Sequence, residues 1–442
     1  MKVERIPFTK LLSKIVDNRG RSCPTVETGL PLIATNCVRN DLLYPAFDKV
    51  RYVSTDTYEN WFRGHPEPGD LIFVCKGSPG RVCMTPNPVS FCIAQDMVAV
   101  RADPKKVYPK YLFALLRSQL VQAQIGNMHV GTLIPHFKKG DFDKLLLTIH
   151  DKKTQEAIGD TYFELSAKIE LNRRMNATLE AMARALFQCW FVDFDPVRAK
   201  HDGRKPINCE GNHSTIFPKS FYKSELGETP VSWKIVSLGD VLDVLETGRR
   251  PKGGVASYTS GVPSIGAESI WGIGQFDYSK TKFIPREFYD KTSAGRVKHN
   301  DVLLYKDGGK PGVFKPRVGL FGHNFPFPEF CINEHVFRMR SELVGQTYLY
   351  FAVADQRVLH DFANKGGKAA IPGINQVDVK STKILLPSQE VLKAFSERVT
   401  PLCDLIIKNS IQARTLATLR DTLLPKLLSG ELNLNKPQSA KS

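Results

Sequence analysis

The sequence carries the same stretch twice. Residues 91–101 read FCIAQDMVAVR and residues 330–340 read FCINEHVFRMR, an offset of 239. The likeness spreads outward from there. KVRYVSTDTYENWF, from Lys49, and DLIFVCKGSPGRV, from Asp70, answer KTKFIPREFYDKTS, from Lys280, and DVLLYKDGGKPGV, from Asp301, at an offset of 231. GLPLIATNCV, from Gly29, answers GVPSIGAESI, from Gly261, at 232; Ile134-Pro135 answers Ile371-Pro372 and Asp141 answers Asp378, at 237. Offsets that drift this slowly mark two homologous halves with small loop insertions. The period is too long for a solenoid, so the chain must fold as a duplicated domain.

Each half has the same internal order. Short apolar runs followed by glycine turns, such as Asp70–Cys75 and Asp301–Tyr305, read as buried strands. The two FCI segments each supply another strand. YLFALLRSQLVQAQIG, from Tyr111, and YLYFAVADQRVLHDFA, from Tyr348, carry apolar residues at helical spacing. A long helix closes each half. In the first, the seam runs Ile158, Tyr162, Leu165, Ile169, Asn172, Asn176, Leu179, Ala183, Leu186, with steps alternating four and three. In the second it runs Phe395, Val399, Leu402, Ile406, Asn409, Ala413, Leu416, Arg420, Leu423. Heptads sustained this long, twice in one chain, predict that the two helices pack on each other. The asparagines at 172 and 409 are placed to fix their register. Pro196 is expected to stop the first helix, and Pro425 to kink or break the second.

These features predict an α+β chain with two homologous α/β domains and a helix pair. The expected limits are 1–150 for the first domain, 151–197 for the first helix and 198–232 for a linker. The second domain is expected at 233–387, the second helix at 388–432 and a disordered tail at 433–442.

Lys and Arg number 61 against 45 Asp and Glu, a net charge of +16 in 442 residues. Such an excess favours a polyanionic partner, nucleic acid first. No run of eighteen apolar residues suggests a membrane helix, and MKVERIPFTK has no apolar signal core. Nine cysteines form no CxxC pair, which reads as reduced, mostly buried thiols. The sequence shows no phosphate-binding GxxxxGK[ST] loop, GxSxG elbow, HExxH motif or FxGxG cofactor loop. It also has no Asn/Asp-Pro-Pro-aromatic tetrapeptide of the kind used by DNA amino-methyltransferases. Together with the duplication and the charge, this favours binding over catalysis.

FQCWFVDFDPV (Phe187 to Val197), GETPVSW (Gly227 to Trp233) and LRDTLLPKLLSGEL (Leu419 to Leu432) resemble the specificity subunit of type I restriction-modification systems. GTLIPHF (Gly131 to Phe137) and KGSPGRV (Lys76 to Val82) fit too. The resemblance implies two target recognition domains related by a pseudo-two-fold axis, each reading half of a split, asymmetric double-stranded DNA site. An antiparallel coiled coil would space them and dock modification subunits, with restriction subunits joining that core. It implies a cytoplasmic protein with no catalytic residues, no metal and no cofactor of its own. S-adenosylmethionine, ATP and Mg would belong to the partner subunits. Each seam spans 29 residues, about 43 Å of helix at 1.5 Å per residue. The half-sites are expected about one DNA turn apart, roughly 10 base pairs.

Four loops recur in both halves and carry the candidate DNA contacts, glycines for close approach and cations for phosphate. Arg21 answers Arg249, Arg250 and Lys252. Lys76 and Arg81 answer Lys306 and Lys310. Thr132 answers the Lys365–Lys368 loop, with Lys368 the candidate. Lys138 and Lys139 answer Asn375 and Gln376. Trp190, Phe191 and Phe194 suit either a partner interface or burial against the second helix. Two other functions stay open: a single-chain restriction-modification enzyme with an unrecognised catalytic motif, and an assembly scaffold without DNA specificity.

Overall fold

The structure, a computed structural model, describes residues 3–18, 21–128, 135–205, 215–367 and 371–432. The candidates Thr132 and Lys368, and the tail from Asn433, lie outside the described residues. The chain divides into two units, Met1–Leu171 with Ala413–Ser442, and Asn172–Gln412. The division falls within both long helices.

In the first unit, β1 (Glu4–Pro7), β2 (Leu12–Asp17), β3 (Leu30–Ile33) and β4 (Arg51–Val53) precede the short α1 (Thr55–Asn60). Then come β5 (Leu71–Val74), β6 (Val82–Met84), β7 (Cys92–Ile93) and β8 (Met97–Ala102). Helices α2 (Pro109–Arg117) and α3 (Gln119–Met128), strand β9 (Leu146–Ile149) and the start of α4 (Lys152–Phe191) follow. Three sheets form, in the orders β2-β8-β5-β6, β4-β3-β7 and β1-β9. FCIAQDMVAVR makes two strands rather than one. Its first part pairs parallel to β3, and its second is the antiparallel centre of the four-stranded sheet. YLFALLRSQLVQ likewise gives two helices, because Ser118 is extended and its hydroxyl bonds the Leu115 carbonyl at 2.7 Å.

The second unit continues from α4 with α5 (Asp195–His201), the hairpin β10 (Phe221–Ser224) and β11 (Gly227–Pro230), β12 (Lys234–Ser237) and α6 (Leu238–Val241). Next are β13 (Val244–Thr247), β14 (Val262–Ile265), β15 (Lys282–Ile284), α7 (Arg286–Lys291), β16 (Asp301–Tyr305), β17 (Val318–Phe321), β18 (Cys331–Ile332) and β19 (Val336–Arg340). Helices α8 (Gln346–Val353), α9 (Gln356–Gly366) and α10 (Gln376–Ser381), strand β20 (Lys383–Leu386) and α11 (Gln389–Ser429) complete it. The sheets are β13-β19-β16-β17, β15-β14-β18 and β12-β20. Strand for strand, this is the topology of the first unit, so the sequence repeat is a repeat of fold. Its demands on single residues repeat as well. Gly29 and Gly261 have φ of +152° and +129°, and a Cβ would sit 2.2 Å from the Val53 carbonyl oxygen and 2.3 Å from that of Ile284. Only glycine fits at either place.

Both units use a buried aspartate at the start of the sheet's third strand. Asp70 accepts from the Glu67 amide at 2.8 Å and from Arg101 through two bonds of 2.8 and 2.9 Å. Asp301 accepts from the Lys298 amide at 2.6 Å and from Arg340, the counterpart of Arg101. Both carboxylates thus cap the turn before their strand. The buried ion pairs are not visible in the local sequence, since their arginines lie 31 and 39 residues away. The second unit adds a pair of its own: Arg338 bonds Asp301 and, at 2.5 Å, Glu246. The cross-strand pair Val16–Ala99 occupies the matching place in the first unit.

Within each unit, stretches of α4 and α11 pack antiparallel along the predicted seam. In the first unit Ile158 and Tyr162 share a core with Leu424 and Leu427, and Arg420 reaches Ser166 at 3.4 Å. In the second, Asn172 donates to Gln412 at 2.9 Å and to the Asn409 carbonyl at 3.4 Å. Asn176 donates to Ser410 at 3.0 Å, and Asn409 back to Asn176 at 3.0 Å. The buried asparagines thus bond across the seam, as register-setting residues do. Two helix-end expectations need correction. α4 stops at Phe191, where Asp193 and the left-handed Phe194 (φ 58°) turn the chain; Pro196 opens α5 in its first turn, where a missing N–H costs nothing. The expected break at Pro425 is absent, since α11 runs through it to Ser429. Proline removes one bond near a helix end, and burial of Leu424 and Leu427 on either side holds the last turn.

Candidate nucleic-acid interface

In the first unit three of the four predicted loops gather at one rim of the four-stranded sheet; the fourth, at 129–132, lies outside the described residues. That rim is made by the ends of β2 and β5 and the start of β8, where Asp17 faces Val98 and Val74 faces Met97. The Gly77 amide bonds the Pro135 carbonyl at 2.9 Å, and the Phe137 amide bonds that of Cys75 at 2.8 Å. These bonds join the Lys76–Arg81 loop to the segment carrying Lys138 and Lys139. Lys139 ion-pairs with Asp17, and Gln95 bonds Ser22, next to Arg21, at 3.4 Å. Arg21, Lys76, Arg81, Lys138 and Lys139 are all exposed. Burial pushes the Cys75 thiol beside them up to about 12, so it stays protonated at neutral pH and is no nucleophile.

The second unit builds the same rim. Thr247 faces Phe337 and Tyr305 faces Val336. The Gly308 amide bonds the Pro372 carbonyl at 2.8 Å, and the Ile374 amide bonds that of Lys306 at 2.8 Å. Four segments far apart in sequence therefore meet here as well. Arg249, Arg250, Lys252 and Lys310 are exposed, Arg250 pairing with Glu334 at 2.9 Å.

Some candidates are engaged within the chain. Asn375 is the N-cap of α10, its side-chain oxygen accepting from the amides of Val377 (2.7 Å) and Asp378 (3.0 Å). Gln376 donates to the Leu245 carbonyl at 3.3 Å. The pairing of Arg81 with Lys310 also needs correction. The Val74 amide bonds the Arg81 carbonyl and the Tyr305 amide bonds that of Arg317, so Arg317 is the true counterpart. The second loop is longer, eleven positions from Lys306 to Arg317 against five from Lys76 to Arg81. Arg317 is also held differently. It is half-buried between Trp271 (4.2 Å to the ring centre) and Tyr305 (4.7 Å), and burial holds it below its ordinary pKa.

The sequence reading missed the turns at the middle of each rim, Ala94-Gln95-Asp96 and Asn333-Glu334-His335. Cys75 and Lys76 amides bond the Asp96 carbonyl at 2.9 and 3.2 Å, and the Lys306 amide bonds that of His335 at 3.0 Å. His335 Nδ1 lies 2.5 Å from Asp307. The available signal was the point where the two FCI repeats stop agreeing. Trp271, 52% exposed and fixed by a 2.6 Å bond from its indole N–H to the Glu268 carbonyl, was missed too.

Trp190 and Phe191 are core residues of the second unit. Trp190 packs edge-on against Phe217 at 5.0 Å, and Phe191 against Phe395 at 5.0 Å; Phe194 is half-buried on Phe221 and Trp233. Of the two readings offered for this cluster, burial against the second helix is the one seen. No group of histidines, cysteines and carboxylates among the described residues could hold a metal ion. No described helix is long and apolar enough to cross a membrane.

Each unit thus carries the same α/β fold with a basic loop rim, and each includes a stretch of the antiparallel helix pair. The type I restriction modification DNA specificity domain matches residues 30–181 and 230–414, and the chain belongs to that family. It is 26% identical over 411 residues to the type I restriction enzyme HindI specificity subunit of Haemophilus influenzae, covering 82% of this chain and 86% of the relative. It is 22% identical over 369 residues to the MjaIX specificity subunit of Methanocaldococcus jannaschii, covering 83% and 78%. The fold is similar to the crystal structure of the type I restriction-modification S subunit from M. genitalium, with TM-score 0.51, 14% identity and coverage of 97% and 96%.

Proposed function

We propose that the chain gives a type I restriction-modification complex its DNA sequence specificity, each rim reading one part of a bipartite site. The carrying observation is the convergence, in both units, of four chain-distant loops on the same end of the same sheet. A repeated fold alone explains the sheets. It does not explain exposed arginines and lysines gathered at that end twice.

The rim cations act on phosphates, and the turn residues between them face the bases. The subunit itself is non-catalytic. Methyl transfer, with its S-adenosylmethionine, and the ATP- and Mg-dependent nuclease belong to modification and restriction subunits in the cytoplasm. The helix pair docks the former and spaces the half-sites.

The test is DNA binding by the chain assembled with its modification subunit, measured across salt. Log affinity should fall with log salt by about 0.9 per neutralised phosphate, and Lys138→Ala or Arg249→Ala should each flatten that slope without changing the methylated sequence. An unchanged slope in both variants, or methyl transfer by the isolated chain, would overturn this reading.

A further inference from the structure

The second rim holds an arginine unlike the exposed cations around it. Arg317, just before β17, is half-buried between the rings of Trp271 and Tyr305, its guanidinium 4.2 and 4.7 Å from their centres. Both walls are fixed. The Trp271 indole N–H donates to the Glu268 carbonyl at 2.6 Å, and Tyr305 is buried and stacked on Phe314 at 5.4 Å. Arg317 Nη2 donates to the Ala267 carbonyl at 2.8 Å, and Nε is enclosed without a partner. Nη1 is neither bonded nor enclosed. No carboxylate bonds Arg317 among the described residues; Glu268 acts on it only across space and is itself bound by Lys282 at 2.6 Å.

The first unit shows what has been added. Its counterpart Arg81 is exposed. Val74 stands where the second unit has Tyr305, and Arg39, bonded to Asp41, stands where it has Trp271. The first sheet forms in the same strand order without the two rings, so they are not a demand of the sheet. Rings over a guanidinium fix its plane, and it then serves acceptors lying in that plane. A phosphate needs no such restraint, because its oxygens accept from many directions and a mobile cation suits it. A base edge is planar and gains from it. We propose that Arg317 reads a guanine in the half-site of the second unit, Nη1 and the second N–H of Nη2 donating to O6 and N7, with Trp271 as its positioning residue. Guanine alone sets two acceptors side by side on its major-groove edge; adenine sets an amino donor beside N7, and thymine a methyl beside O4. The assignment rests on the proposed DNA role and deepens it, naming the base that one side chain selects.

The test uses the full chain assembled with its modification subunit, on the duplex that methylation-site sequencing defines. Each base pair of both half-sites is changed in turn and binding is measured. Arg317→Ala should lose roughly tenfold of preference at one guanine and leave the other positions as they were. Placing 7-deazaguanine there, which lacks the N7 acceptor, should weaken the wild type and not the variant. Arg317→Lys, which keeps the charge without the planar fork, should lose the same preference. Trp271→Ala, at an exposed position that folding does not depend on, should lose about threefold at that same guanine and nowhere else. Equal weakening on every duplex with a flatter salt slope would make Arg317 a phosphate contact and overturn the assignment. Lower stability with unchanged discrimination would make it a structural brace and overturn it equally. Sequence preference in the wild type that all three variants keep would remove the guanine assignment alone, whereas a wild-type complex with no preference would remove the DNA reading beneath it.

Discussion

The pair Glu246–Arg338 can be exchanged for the pair that the other half already uses. Arg338 is 7% exposed at its side chain, Asp301 is fully buried and Glu246 is 31% exposed. Burial opposes the charge on Arg338, but its bonds to Asp301 and Glu246 outweigh that and hold its pKa above the ordinary value. Arg338→Ala leaves Glu246 without its partner and Asp301 with Arg340 alone. Glu246→Val leaves two arginines on one buried aspartate and also removes the acceptor of the Gly295 amide, 3.0 Å away. Breaking a buried pair from one side costs about 3 to 5 kcal/mol, and the partial exposure of Glu246 puts each single variant near ~2–3.

The double variant, Glu246→Val with Arg338→Ala, recreates Val16–Ala99. Asp301 would keep Arg340 and the Lys298 amide, the same set that serves Asp70. The residual cost is the Gly295 N–H, about 1 kcal/mol. The expected coupling is therefore at least ~2 kcal/mol in favour of the double variant. A chain of two units need not unfold in one step, so global denaturation is the wrong readout. Native-state hydrogen exchange of the 336–340 strand reports local opening directly. Additive losses, with the double variant as open as the two singles combined, would refute the equivalence of the two sheets at this position.

Four further outcomes follow from single elements. Gly29→Ala and Gly261→Ala should each destabilise their own unit by about 2 kcal/mol or more, read by proteolysis of the β3–β4 or β14–β15 segment. Trp190→Ala should cost about 3–5 kcal/mol of second-unit stability; a stable variant that loses only partner binding would restore the interface reading. Asn172→Leu should stabilise the helix pair while loosening its register, seen as new cross-links between cysteines introduced on the exposed faces of α4 and α11. Burial lowers the pKa of His150, whose ring nitrogen lies 2.7 Å from the Tyr111 hydroxyl, so the unfolded chain takes up the proton first. Stability of the first unit should be full above pH ~6.5 and fall as the pH drops below it, and His150→Asn should flatten the loss, measured by Tm between pH 7.5 and 5.

The duplication, the helix seams and the glycine-bearing rim loops were legible because each rests on periodicity or on local glycine chemistry. Bonds between distant segments were not. Nothing near Asp301 announces Arg338, and nothing near Arg117 announces the Val82 carbonyl that it bonds at 2.9 Å. Asn375 was legible in principle: an asparagine three residues before Asp378 is a capping box, whose two reciprocal bonds the structure contains. Reading its amide as a base donor overlooked that local competition. The expected stop at Pro196 and break at Pro425 failed because proline acts by removing one N–H. At the first turn of α5 that N–H is not needed, and near the end of α11 its loss is outweighed by the packing of Leu424 and Leu427.

Because the chain contains its own control, the two halves separate what the fold needs from what each copy adds. Residues that repeat in both type and role, Gly29 with Gly261, Asp70 with Asp301 and Arg101 with Arg340, hold sheets together. Other residues occupy matched places but differ, and where they are exposed they are free of that duty. They fall at the rim turns, Gln95-Asp96 against Glu334-His335. A homodimer would present one set of rim residues twice and so favour a palindromic site. Fusing the copies releases each rim from the other, and divergence at the turns lets the two half-sites differ while the sheets beneath them keep one strand order.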